Sequence, residues 1–419
     1  MIIKVRILAY QLVAVMFGMM NDKKRRKMNN KKKVAIIYGS LIIGGAEKAL
    51  INMLRYIDYN KVDITLWVKD DKGSLHNQID PRVIIEYWGE RLQDDYHNVL
   101  MNYIKDGRIV KAIYSIGCRL LSRLFVNDWH NNMKYYIKSM MPSKVQNYDV
   151  VISYQSFVKE EIMILSYFLK GEKKIGWIHG ECKYNAEDPY FKSFPIEYNK
   201  MHSIFCVSES VKQIFLDKYP NLKNVVKVMY NLQNYSEIVR LSEEDVGNIF
   251  GQLTLVTVGR LAQEKGQDMI PYIAQGLKEK GYEFVWYIVG DGKERERIEQ
   301  KILEFHLEKY VILLGSKSNP YPYIKNCSIY VQPSYTEGFC LTTFEAKILK
   351  KIIVLTDVPG MREQFQEHEA VFCDATVDSI LYGIESAIKN PPIISEIDRK
   401  FMDDYNYEQL HKLYRVIEE

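Results

Sequence analysis

Short runs of β-branched and other apolar residues recur along the chain, each followed by a stretch long enough for a helix. The first, Val34-Ala-Ile-Ile-Tyr38, stops at Gly39, and Ala46–Tyr56 beyond it reads as a helix. Asp63–Lys69, Val83–Trp88, Asp149–Tyr154, Lys174–Ile178, Ser203–Ser208 and Val225–Tyr230 continue the series. A second series comprises Leu253–Val258, Glu283–Val289, Val311–Leu314, Ser328–Gln332 and Ile352–Thr356. Apolar runs without polar alternation mark strands covered on both faces, as in parallel sheets flanked by helices. Two such series predict an α/β protein of two doubly wound domains facing across a cleft, with the seam near Asn231–Leu253. Ligands of such sheets lie beyond the carboxyl ends of the strands, so the loops leaving those ends matter most.

Two segments interrupt this pattern. Residues 91–147 read as a largely helical insertion, in which Arg91, Lys105, Arg108, Lys111, Arg119, Arg123, Lys134, Lys138 and Lys144 outweigh Asp94, Asp95, Asp106 and Asp128. At helical spacing Lys111, Arg119 and Arg123 fall on one side, and Ile109, Ile113, Ile116, Leu120 and Leu124 on the opposite one. The pattern predicts an ordinary surface helix whose charged side meets water; the alternative is a surface that touches a membrane or a lipid-linked acceptor. The amino-terminal arm, residues 1–33, holds ten basic residues against Asp22, a charge of +9 within a total of +4, leaving −5 for the rest. A mildly acidic body excludes a nucleic-acid-binding surface on the fold itself, which would need a basic face. In the arm, Ile7–Met20 is apolar apart from Gln11, too short for the roughly 20 residues that span a bilayer. Its heavier charge follows the apolar run, unlike a signal peptide. It reads either as a peripheral attachment to an inner-membrane surface or as sequence upstream of a true start at Met28.

The six cysteines (Cys118, Cys182, Cys206, Cys327, Cys340, Cys373) show neither metal-ligand spacing nor the density of a disulfide scaffold, which points to a reducing cytoplasm. The chain has no phosphate-binding G-x-x-x-x-G-K-[ST], no G-x-G-x-x-G, and no Asp-x-Asp that would hold a divalent ion against a diphosphate. Cations and backbone amides must then hold any phosphate. Gly259-Arg260-Leu-Ala-Gln-Glu264-Lys265-Gly266 brings two cations out of a strand end, enough to neutralise a diphosphate without a metal or other cofactor. The strand ending at Val289 turns through Gly290-Asp291-Gly292, where a flat base could approach the backbone. Pro333-Ser-Tyr-Thr-Glu337-Gly338-Phe339-Cys340-Leu341 leaves a strand, turns at Gly338 and enters a helix near Leu341. The amides of that turn and the helix dipole favour an anion. Glu337 sits on the loop and Glu345 eight residues on, placed for the sugar and for ribose hydroxyls. Thr356-Asp-Val-Pro359-Gly360 emerges at the next strand end.

These three elements, in this order and spacing, resemble the retaining glycosyltransferases of family 4, from about Val34 to the end of the chain. The resemblance implies two Rossmann-like domains in the GT-B architecture, a nucleotide-sugar donor and no metal. It implies that Arg260 and Lys265 bind the donor diphosphate, that Glu337 contacts the transferred sugar and that Glu345 contacts the ribose. It also matches Ile43-Gly44-Gly45-Ala46-Glu47 to the family's glycine-rich loop, and His179, in Gly176-Trp-Ile-His179-Gly180, to a histidine near the donor sugar. Asn231 falls at the family's interdomain turn, although Leu232 departs from the Asn-Gly or Asn-Pro pattern.

The expectation is therefore a retaining glycosyltransferase using a nucleotide-sugar, most simply a UDP-sugar, with a glycan or lipid-linked acceptor, in cell-surface polysaccharide or glycolipid assembly. Its catalytic set is Glu337, His179, Arg260 and Lys265. Its donor site comprises Gly44, Gly45, Gly259, Arg260, Lys265, Gly290, Asp291, Gly292, Glu337, Gly338, Phe339, Cys340, Leu341 and Glu345. The domains run 34–231 and 232–399, with residues 400–419 a terminal helix returning to the first. A sugar-nucleotide 2-epimerase shares the build but needs a different acid–base set; a non-catalytic partner subunit would lose the donor residues, which are present. A glycosidase could use two carboxylates but has no use for the diphosphate pair.

Overall fold

The structure, a computed structural model, describes residues 31–419 apart from 43, 71, 72, 74, 89–95, 126, 127, 141–146, 181–193, 248–252 and 395. Residues 1–30 of the arm, Met28 included, and Ile43, Arg91, Asp94, Asp95, Lys144 and Cys182 lie outside the described residues.

The first sheet contains β1 (Lys32–Ile37), β2 (Val62–Val68), β3 (Ile84–Tyr87), β4 (Asn147–Ser153), β5 (Lys170–Ile178), β6 (Ser203–Cys206) and β7 (Val226–Val228). Its order is β3-β2-β1-β4-β5-β6-β7, and every pairing is parallel. Helices α1 (Gly45–Tyr56), α5 (Lys159–Tyr167) and α6 (Glu209–Lys218) cover it. Between β3 and β4 stand α2 (Tyr96–Lys105), α3 (Ile109–Leu124) and α4 (Trp129–Met140). Helix α7 (Tyr235–Ser242) leads to the second sheet, ordered β10-β9-β8-β11-β12-β13 and also parallel throughout. Its strands are β8 (Thr254–Val258), β9 (Val285–Val289), β10 (Val311–Gly315), β11 (Ile329–Gln332), β12 (Ile352–Thr356) and β13 (Val371–Cys373). Around it lie α8 (Ile270–Glu279), α9 (Arg295–Glu304), α10 (Tyr321–Asn326), α11 (Leu341–Ile348) and α12 (Val377–Lys389), and α13 (Arg399–Glu418) closes the chain.

Neighbouring residues of the second sheet belong to different cores, Leu255 and Trp286 to one face, Val256 and Tyr287 to the other. That two-sided burial is the reason its strands read as unbroken apolar runs. Strand β13, three residues at the sheet's edge, is too short to show any pattern and was not anticipated.

Helix α13 begins at an Asp398 cap, whose carboxylate accepts from the Phe401 amide at 2.7 Å. It lies against the first domain. Met402, Leu410, Leu413, Val416 and Ile417 are buried in that domain's core, and Asn406 exchanges two hydrogen bonds with the backbone of Gln233 (3.0 and 2.7 Å).

The insertion corrects one expectation. In α3 the small residues Ala112, Ser115, Cys118 and Ser122 face inward, and α3 packs on α4 through them. Ser115 Oγ donates to the Ser139 carbonyl (2.9 Å), and Asn132 Nδ2 donates to that of Ser122 (2.7 Å). Close helix approach selects small side chains. Lys111 and Arg119 fold over the rings of Tyr103 and Tyr136, 4.6 Å from each centroid. Lys111 and Arg119 thus turn inward while Arg123 stays exposed, and the apolar stripe faces outward: Ile113 is 65% and Leu124 78% exposed.

Candidate functional site

Strand order reverses beside the first strand of each sheet, where β1 lies between β2 and β4 and β8 between β9 and β11. The crevice beyond such a point is where doubly wound sheets bind ligands. The sequence-expected residues of the second domain follow β8, β9 and β11 at this point; in the first domain Gly44 and Gly45 follow β1, and His179 follows β5, two strands away.

In the second domain a buried relay runs along the end of β11. Tyr330 OH donates to Gln332 Oε1 (2.8 Å), Gln332 Nε2 to Ser334 Oγ (2.9 Å), and Ser334 Oγ to Glu337 Oε1 (2.8 Å). Lys265 Nζ donates to the same carboxylate oxygen at 2.6 Å. The amides of Tyr335 and Thr336 donate to the Glu264 carbonyl (2.9 and 3.4 Å), tying the two loops together. Burial disfavours the Lys265 ammonium, but the adjoining Glu337 carboxylate more than offsets it and holds the lysine above its ordinary range. Lys265 is therefore charged at any physiological pH.

The turn that follows is crowded. A Cβ on Gly338 would collide with the carbonyl oxygen of His179, so the two domains meet here backbone to backbone. On the other side, a Cβ on Gly360 would strike the carbonyls of Glu337 and Gly338. Cys340, immediately before α11, has φ of +51°, a conformation that costs a non-glycine residue about 1–2 kcal/mol. Burial first, then the Glu337 carboxylate, pushes its thiol up to about 12, so it is no nucleophile. The Phe339 ring is buried between Tyr230 and Phe344, with centroids 5.7 and 6.0 Å away, so any donor contact of that residue falls to its backbone.

Glu345 lies on α11, 2% exposed. Tyr321 OH donates to its Oε1 (3.2 Å), and Lys48 of the first domain stands 3.9 Å from the same oxygen. Oε2 is buried without a hydrogen-bond partner among the described residues. Burial raises the carboxyl above the usual glutamate range, with Lys48 and Tyr321 working against it.

Arg260 is placed differently from Lys265. It is largely exposed and paired with Glu264 at 3.0 Å. Burial raises the Glu47 carboxyl above the usual glutamate range, and Arg260, across the cleft, works weakly against it. Gly259 to Leu261 pack on the neighbouring turn: Leu261 N donates to the Asp291 carbonyl (3.0 Å), and the carbonyls of Gly259 and Leu261 fill the space a Cβ would need on Gly290 or Gly292. Packing against the strand-end loop thus already accounts for these glycines. Asp291 accepts from the Gly292 amide at 2.8 Å.

In the first domain Gly44 precedes α1, and Gly45 begins it opposite the Leu341 side chain. The His179 ring lies against that of Tyr154, with centroids 4.6 Å apart and planes tilted by 47°. Its Nε2 is buried without a partner among the described residues, and burial drives its pKa down to about 3, so the imidazole is neutral. Glu161, on the first turn of α5, is fully buried behind Gly39. Its Oε2 accepts from the Gln155 amide (3.2 Å), its Oε1 has no hydrogen-bond partner among the described residues, and burial raises its pKa strongly.

Sequence reasoning missed Lys48, Tyr321, Gln332, Ser334 and Glu161. A glutamine and a serine ending an apolar strand, Ile-Tyr-Val-Gln-Pro-Ser, were a usable signal, since buried polar groups need partners. Lys48 and Tyr321 gave none: Lys48 reaches Glu345 from the other domain, and Tyr321 reaches it from a separate helix of the same one. Among the described residues no group of acidic, histidine and cysteine side chains could hold a metal ion.

Residues 242–409 match the family model for glycosyl transferases group 1. An uncharacterized glycosyltransferase of Methanocaldococcus jannaschii is 28% identical over 172 residues, 40% of this chain and 42% of that protein. The human phosphatidylinositol N-acetylglucosaminyltransferase contains one polypeptide that is 28% identical over 189 residues, 44% of this chain and 38% of that one. The alignments thus span about two fifths of these relatives' length. Anabaena HepE, solved in complex with UDP and glucose, superimposes with a TM-score of 0.65 over 91% of this chain and 99% of its own, at 15% identity. The two parallel-sheet domains have the GT-B fold, and the second of them is the part of the chain similar to the glycosyl transferases group 1.

Proposed function

We propose that the protein is a retaining glycosyltransferase of family 4 that moves a sugar, a hexose or N-acetylhexosamine, from a UDP-sugar to a glycan or lipid-linked acceptor without a metal ion, in cytoplasmic assembly of a cell-surface polysaccharide or glycolipid. The observation that carries it is the Lys265–Glu337 pair at the switch point of the second sheet, with the unpartnered Glu345 oxygen on the helix beside it. In this reading Lys265, Arg260 and the amides from Gly338 to Leu341 take the diphosphate and stabilise the charge that grows on it as the glycosidic bond breaks. Glu345 Oε2 accepts from the ribose hydroxyls, a bond that offsets its desolvation. Glu337, held by Ser334, faces the sugar, and neutral His179 offers Nε2 to a sugar hydroxyl from the first domain. UDP as the nucleotide agrees with the UDP found in HepE, and an N-acetylhexosamine with the name of the human relative.

The test is hydrolysis of UDP-, GDP- and ADP-sugars by the purified protein, with and without EDTA, with anomeric configuration read by NMR on any acceptor product. Turnover of a UDP-sugar that survives chelation supports the proposal. Activity abolished by EDTA and restored by manganese refutes the metal-free mechanism, and an inverted product refutes retention.

A further inference from the structure

We propose that Glu363 is a positioning residue: its carboxylate latches the second domain onto the first and so seats the turn at Glu337 and Gly338 against His179. Glu363 follows the short helical turn Pro359–Arg362 beyond β12. Its Oε2 accepts from the Glu209 amide at 2.8 Å and its Oε1 from the Ser210 amide at 2.7 Å. These are the first two amides of α6, in the other domain, and no carbonyl of their own helix can reach them. Ser208, the helix's own cap, serves the third, accepting from the Val211 amide at 3.1 Å. A carboxylate at the positive end of a ten-residue helix is a favourable pairing, and two parallel bonds fix its direction.

Glu363 is tied to the site on its own side as well. The carbonyls of Glu337 and Gly338 occupy the space a Cβ on Gly360 would need, so the loop that carries Glu363 backs directly onto the turn. Tyr230, at the crossover between the domains, donates to Glu363 Oε2 at 3.3 Å, and its ring lies 5.7 Å from that of Phe339. Drawing α6 away from Glu363 would therefore pull on the turn that meets His179. By comparison, the contact of Lys48 with Glu345 across the cleft spans 3.9 Å, beyond hydrogen-bonding range. Glu363 is itself exposed, so its bonds to α6 exchange with water at little desolvation cost. Such a contact opens and closes readily, as hinged domains require, whereas breaking a buried ion pair would be prohibitive. The inference rests on the proposed transfer, which needs both domains around one sugar.

The experiment compares Glu363→Ala, Glu363→Gln, Glu209→Pro and Glu209→Ala in the full chain. Small-angle X-ray scattering reads the domain arrangement, calorimetry the binding of UDP, and steady-state kinetics the turnover of a UDP-sugar. Glu363→Ala loses both acceptors; it enlarges the radius of gyration and lowers kcat about tenfold, the worth of one charge-assisted bond. Its UDP affinity stays within about twofold of wild type and its Tm within about 4 °C, because the proposed UDP contacts all lie on the second domain. Glu363→Gln keeps one carbonyl oxygen and recovers part of the loss. Glu209→Pro deletes one donor at the first helical position, where proline is well tolerated, and behaves like Glu363→Gln. Glu209→Ala keeps the amide and behaves as wild type. Combining Glu209→Pro with Glu363→Ala adds nothing to Glu363→Ala alone. The proposal is overturned if Glu363→Ala keeps the wild-type radius, or if kcat falls only together with Tm and UDP affinity. It is also overturned if Glu209→Ala is as damaging as Glu209→Pro. A wild type that turns over no UDP-sugar refutes the proposed function instead, and the radius of Glu363→Ala still decides the latch.

Discussion

Breaking the Lys265–Glu337 pair should be asymmetric. Lys265→Met removes the cation and leaves a carboxylate whose side chain is only 6% exposed, with Ser334 as its remaining side-chain partner. Removing one partner of a fully buried pair costs roughly 3–5 kcal/mol. Because the lysine side chain keeps 22% of its exposure, water can reach the vacated space, and we expect about 3 kcal/mol. Glu337→Gln leaves an ammonium that can swing toward solvent and an amide oxygen that still accepts from it, so about 1 kcal/mol is lost. The double variant buries neither charge and should fall well short of the sum, a coupling of at least about 1 kcal/mol. For a domain of this size 1 kcal/mol moves Tm by about 2–4 °C, so Lys265→Met should unfold about 6–12 °C early. Thermal unfolding of the four proteins, beside UDP calorimetry and donor kinetics, is the assay. Losing the cation raises donor KM and lowers kcat, because Lys265 meets the diphosphate in ground and transition states alike. Glu337→Gln leaves UDP affinity nearly intact and lowers kcat by about 10²-fold or more. Equal, additive stability losses would refute the coupled pair. If Glu337→Gln weakens UDP binding as much as Lys265→Met and keeps normal kcat, Glu337 does not act at the sugar.

Two further predictions follow from burial. The Glu345 carboxyl has a higher pKa folded than unfolded, so it favours the folded state least at high pH; Glu345→Gln should gain Tm relative to wild type as pH rises above about 4.5, yet bind UDP more weakly, with KM rising more than kcat falls. His179 has a lower pKa folded than unfolded, so its contribution to stability is present above about 6.5 and lost as pH falls toward about 3; His179→Asn should flatten acid unfolding in that window, and kcat in the wild type should show no histidine titration between pH 5 and 8.

The strands were legible because both faces of each parallel sheet are covered, which leaves an apolar run of defined length. The start of α11 at Leu341 was legible too, because a glycine turn after an apolar strand admits few continuations. The electrostatics of the site were not. Lys265 and Glu337 were expected to serve different parts of the donor, but a contact across 72 residues makes them partners before any donor arrives. The orientation of α3 failed for another reason. A helix with one apolar and one charged side has the same periodicity whichever side turns inward. Only the row of small residues at 112, 115, 118 and 122 distinguishes the two, because it marks where a neighbouring helix comes close.

The return of α13 to the first domain bears on how the chain is made. During synthesis residues 34–231 emerge long before residues 399–418, yet Leu413, Val416 and Ile417 complete their core. Until the last turn of that helix leaves the ribosome, the first domain carries an uncovered apolar seam and the backbone of Gln233 lacks its Asn406 partners. Vectorial folding can therefore finish the second sheet before the first domain is sealed, and the nascent first domain remains a client for chaperones until α13 has emerged.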